Sequence, residues 1–98
     1  MQVATTILKH LGGSKFIAMT GARNLLSDRN ALQFKLPARF ANYGINFVIV
    51  KLDPSDTYTL EFYRYRGLDL KTIQTCSGVY HDQLQEVFTS VTGLDCTL

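Results

Sequence analysis

Tryptophan is missing from this 98-residue chain, and cysteine, histidine, proline and methionine occur only twice each. His10 and His81 have no Cys or second His at ligand spacing, and Cys76 and Cys96 have no third or fourth thiol near them. A closed zinc site of the usual composition is therefore excluded, and no metal or cofactor is expected. The two cysteines read as free thiols. No apolar run approaches the ~20 residues of a membrane-spanning helix. The stretch TGARN (20–24) has one glycine and no Lys-Ser/Thr after it, so it is not a phosphate-binding P-loop. Repeats and low-complexity segments are absent as well. With 46% hydrophobic and 18% charged residues, residues 1–98 read as a single globular domain. The start, MQVATTILKHLGG, has neither a basic leader region nor a continuous apolar core, and the expected location is the host cytoplasm.

Charge is divided unevenly. Residues 1–51 carry seven Lys/Arg and one acid, for +6, and residues 52–98 carry three Lys/Arg and seven acids, for −4. A basic half can serve an anionic partner. Lys15, Arg23, Arg29, Lys35 and Arg39 are the residues it would use on nucleic acid, unless folding disperses them.

Ala4, Ile7, Leu8 and Leu11 recur at helical spacing and Gly12-Gly13 follows, which predicts a helix over 2–11. KFIAMTG (15–21) reads as a short β-like run, and 22–31 gives no clear element beyond a turn at Ser27–Asn30. LQFKLP (32–37) alternates, with Leu32, Phe34 and Leu36 on one side. INFVIVKL, DPSD and TYTLEFYRYR (45–66) predict strand, turn and strand. A further strand over 70–76 and a helix from about Val79 complete the order. The predicted fold is α+β, an antiparallel sheet of four to five strands with one N-terminal and one C-terminal helix.

If the DPSD turn brings Leu52 opposite Thr57, Ile45, Phe47 and Ile49 share the core face with Tyr58, Leu60 and Phe62. Val48 and Val50 then share the opposite face with Tyr63 and Tyr65. Those four residues are the candidate partner-binding site, since tyrosines and aliphatics suit the core of a protein interface. Asp53 and Asp56 read as turn formers. A Cys76–His81 nucleophile pair lacks an orienting third group, and no other catalytic constellation is present, so a non-enzymatic protein is expected.

The segments LGGSKFIAMTGARNLL, LQFKLP, GINFVIVKLDPSDTYTLEFYRYRG and VYHDQLQEVFTSVTGL resemble a family of short uncharacterised proteins encoded in bacteriophage and prophage genomes. The resemblance spans most of the chain and supplies no catalytic or binding residues. It implies a phage or mobile-element origin. By analogy it implies action on a host protein, as a host-takeover or anti-defence inhibitor of the anti-CRISPR-like kind, with a homodimer or a nucleic-acid accessory role as alternatives.

Overall fold

The computed structural model describes residues 2–37 and 42–94. Its order is α1 (Gln2–Leu11), α2 (Ser14–Thr20), β1 (Arg23–Asp28), β2 (Ala31–Lys35), a 3₁₀ turn (Asn42–Gly44), β3 (Phe47–Leu52), β4 (Tyr58–Arg66), β5 (Asp69–Val79), a second 3₁₀ turn (His81–Gln83) and α3 (Leu84–Thr92). The five strands form one antiparallel meander in the order β1-β2-β3-β4-β5. This is an α+β fold, as the pattern of the sequence predicts.

The first helix follows its apolar spacing. Ala4, Ile7 and Leu11 are buried on one side, and the Gly12 and Gly13 amides both donate to the Leu8 carbonyl, closing the last turn. The segment read as β-like is instead α2. Phe16 and Thr20 lie four residues apart and are both buried, the Thr20 hydroxyl donates to the Phe16 carbonyl, and Gly21 ends the helix in the left-handed region. Seven residues cannot hold a helix alone. The deciding contact is tertiary: the Phe16 ring sits edge-on against Phe34 and Phe88, with centroids 5.3 and 5.2 Å away. The undecided segment 22–31 supplies β1, which carries a bulge between Arg23 and Leu26 with Asn24 at φ 54°. Asparagine tolerates that conformation better than most residues.

The β3–β4 register corrects the predicted pairing. Leu52 lies opposite Tyr58 rather than Thr57, so Val50 faces Leu60, Val48 faces Phe62 and Phe47 faces Tyr63. The cause is Asp56, whose φ of 63° turns the predicted four-residue DPSD reversal into one of three residues. The Asp53 and Thr57 backbones close a three-residue loop, a turn followed by a left-handed residue. A one-residue slip exchanges the faces of one strand relative to its partner. Tyr58, Leu60 and Phe62 are buried as expected and Ile45 is buried beside them, but Val48 and Val50 are inside too. Phe47 and Ile49, predicted inside, lie on the opposite face, partly exposed.

All three helices contribute to one layer over the inner face. α1 crosses β2 and touches α3, and the Gln85 side chain on α3 donates to the Leu11 carbonyl at 2.9 Å. The core is a continuous cluster that includes Ile7, Leu11, Phe16, Phe34, Leu60, Phe62, Leu84 and Phe88. Leu32, Phe34 and Leu36 point into it together, as their alternation predicts.

Candidate functional site

With the helices on one side, the second face of the sheet carries Phe47, Ile49, Tyr63, Tyr65, Leu26 and Leu70. The Phe47 and Tyr63 rings meet across the strands at 5.9 Å. The Tyr63 hydroxyl donates to Glu61 Oε1 at 3.0 Å, and the Lys51 ammonium lies 3.1 Å from the same oxygen. Burial raises the Tyr63 phenol above its ordinary pKa of 10.0, and the bond and charge of Glu61 add to the shift. Tyr63 therefore stays a neutral, oriented donor at physiological pH.

Tyr65 is held by its backbone. Its amide donates to Asn46 Oδ1 at 2.7 Å, and Asn46 Nδ2 donates back to the Tyr65 carbonyl at 2.8 Å. The side chain of Asn46 thus substitutes for a strand amide and extends the β3–β4 ladder past the end of β3. The Tyr65 ring remains 49% exposed, beside Leu70 at 51% and Leu26 at 59%. Together with Phe47 they line a groove of about 390 Å³ whose polar rim includes Gln33 and Lys35.

Of the four residues predicted for partner binding, Tyr63 and Tyr65 share this open face. Val48 and Val50 do not: both are completely buried under the helices, because of the register that Asp56 sets. Phe47 and Ile49 take their place. In the sequence FVIV every position is apolar, so hydropathy alone cannot select which pair faces inward. Leu26 and Leu70 had no sequence signal linking them to the tyrosines, and pairing across β1–β2 and β4–β5 brings them there.

The basic residues of the first half are dispersed. Arg23 and Lys35 face one another across β1 and β2, whereas Arg29 sits in the turn at the other end of that hairpin. Lys15 projects from α2, and Arg39 lies outside the described residues. The three cations of the second half converge instead. Arg64, Arg66 and Lys71 line one hollow of about 600 Å³ together with Tyr43 and Gly44.

The two histidines, distant in sequence, are neighbours: their rings lie 4.9 Å apart, tilted by 41°. Burial lowers the His10 pKa from 6.5, and the charges of His81 and Lys9 lower it further. Among the described residues no group of three or more His, Cys, Asp or Glu is placed to hold a metal ion. No hydrogen bond joins Cys76 and His81: the thiol receives Gln74 Nε2 at 3.5 Å, and the His81 ring lies against His10. Cys96 lies outside the described residues. Asp53 serves its turn, accepting a hydrogen bond from the Thr59 hydroxyl at 2.7 Å.

No family profile, curated protein or solved structure matches this chain. Among the described residues no helix is long and apolar enough to cross a membrane.

Proposed function

We propose that this chain is a non-catalytic binding protein that docks on a host protein through the uncovered face of its sheet. The observation that carries this reading is the set Phe47, Tyr63, Tyr65, Leu26 and Leu70, which leaves aromatic and aliphatic surface in solvent on an otherwise well-filled domain. Tyrosines with fixed orientation lose little conformational freedom on association and are enriched in the energetic centres of interfaces. Gln33, Lys35 and Lys51 supply the polar rim that such centres have. The resemblance to phage and prophage proteins makes a cytoplasmic host protein the expected partner and inhibition by occlusion the expected mode of action.

The test is affinity capture from host lysate, read beside the solution mass. Tyr65→Ala/Leu70→Ala truncates two half-exposed side chains outside the core cluster and should fold normally. Wild type should be a monomer and should retain a partner that this variant loses. Equal recovery by both proteins, no recovery by either, or a wild-type dimer that the variant dissociates would overturn a host protein as the occupant.

A further inference from the structure

We propose a second binding site on the opposite side of the sheet, where Arg64, Arg66, Lys71 and Tyr43 form a seat for a single-stranded nucleic acid segment. Arg64 and Arg66 share strand parity with Leu60 and Phe62, so they belong to the helix side. There β4 and β5 run past the cover of the helices, and the place of the core is taken by solvent. Two adjoining hollows of about 600 and 570 Å³ share the same three cations.

Three features point to a phosphate ligand. Arg64 and Lys71 face each other directly across β4 and β5, and like charges in that position repel. Neither of these side chains, nor that of Arg66, has an ion pair or hydrogen bond among the described residues. Asp69 lies on the rim of the second hollow, opposite Arg66 in register, and is not ion-paired with any of them. Three cations gathered in a concavity with a single carboxylate on its rim leave a net positive charge there, the electrostatic footprint of a polyanion.

The fourth feature is Tyr43, and it separates a nucleic-acid strand from a bare anion. Tyr43 is 70% exposed and holds φ 60°, ψ 15°, a left-handed conformation unfavourable to a bulky side chain. Packing on both sides imposes it. Asn42 lies against Gly93 at the end of α3, Ile45 is completely buried, and the Ile45 amide donates to the Asn42 carbonyl at 3.1 Å. Gly44 is the contact with the cations: a Cβ there would stand 3.0 Å from Arg64 Cδ, so the arginine stem rests on the glycine backbone. Strain held in place by its surroundings, with no buried surface in return, is the pattern of a functional position. An exposed ring beside guanidinium groups offers one base a stacking surface while the cations take the neighbouring phosphates. The two hollows accommodate more than one phosphate, which favours a strand over a mononucleotide.

Leu70 at the sheet edge lines both the protein-docking groove and the second hollow. The three cations and Tyr43 line no part of the groove, and Leu26, Phe47 and Tyr65 line neither hollow, so either reading can fail alone. The experiment is fluorescence anisotropy with a labelled ten-nucleotide oligothymidylate at several salt concentrations. Competition by thymidine monophosphate and by inorganic tripolyphosphate is measured alongside. The strand should bind with strong salt dependence, and each contact removed should lower the log–log slope by about 0.7. Arg66→Glu/Lys71→Glu should abolish binding, while the charge-matched Lys15→Glu/Arg23→Glu should retain it. Tyr43→Gly suits the left-handed backbone and should preserve or raise the melting temperature, yet weaken strand binding about tenfold, the loss of one stacked base. The proposal is overturned if wild type does not bind the strand at low salt or if the two charge variants lose equal affinity. An unaffected Tyr43→Gly, or competition by thymidine monophosphate or tripolyphosphate as effective as by unlabelled strand, overturns it equally.

Discussion

Single residues carry most of the specificity of this fold, and Asp56 is the clearest case. One left-handed turn residue sets the β3–β4 register and thereby determines whether Val48 and Val50 or Phe47 and Ile49 face the helices. Phe62 is the corresponding test of the inner face. It is completely buried and lies 6.4 Å from the Phe88 ring. Phe62→Ala should lower stability by roughly 3–5 kcal/mol, the range for a buried phenylalanine truncation. Urea melts with an unchanged midpoint would mean that the inner and outer faces are exchanged. Phe62 was legible from alternation in the sequence. Phe47 was not, because its strand is apolar on both faces.

Secondary elements differ in how far local sequence determines them. α1 and α3 have apolar stripes closed by glycines in the sequence. α1 forms over the predicted residues, whereas α3 begins at Leu84 rather than near Val79, because β5 runs on to Val79 and His81–Gln83 form a 3₁₀ turn. α2 has a glycine stop but is too short for a periodic signal, and it forms because Phe16 finds Phe34 and Phe88. β5 is an edge strand of eleven residues, broken by irregularities opposite Tyr58/Leu60 and Phe62/Tyr63, with Gly78 at φ 68° near the first of them. Such bulges discourage pairing with a further strand. The β3–β4 unit depends on Asn46 beyond the end of its ladder. Asn46→Ala removes two side-chain bonds to Tyr65, and a loss of about 1–2 kcal/mol is expected for two partly solvated hydrogen bonds. Amide hydrogen exchange at Tyr65 should accelerate in this variant. Protection equal to wild type would show that Asn46 does not secure that segment.

At the scale of the whole molecule, folding brings the two ends of the described chain together, with His10 of α1 against His81 ahead of α3. His10 has a folded pKa below its unfolded value of 6.5, chiefly through burial. The unfolded chain therefore binds more protons as pH falls below 6.5, and stability contributed by neutral His10 is complete above that pH and is lost below it. The melting temperature should fall between pH 7.5 and pH 5.5, and His10→Gln should flatten that dependence. His81→Gln should flatten it less, since burial outweighs the charge of His81. Identical slopes for wild type and His10→Gln would remove the histidine pair as the cause. The charge asymmetry of the sequence also changes meaning at this scale. The basic half spreads its described cations over α1, α2, the β1–β2 hairpin and β3, while Arg64, Arg66 and Lys71 of the acidic half gather in one hollow.

Composition, helical spacing, strand alternation and glycine stops by themselves determined the α+β class, the antiparallel order, both long helices and the burial of Leu32, Phe34, Leu36, Leu60 and Phe62. These signals are local, arising from backbone geometry and from the period at which apolar side chains recur. Only the tertiary structure decided that 14–20 is a helix, which side of β3 faces inward, and which distant residues share a surface. Those outcomes rest on contacts between residues far apart in the chain and on the backbone angle of one turn residue, and neither leaves a periodic trace in the sequence.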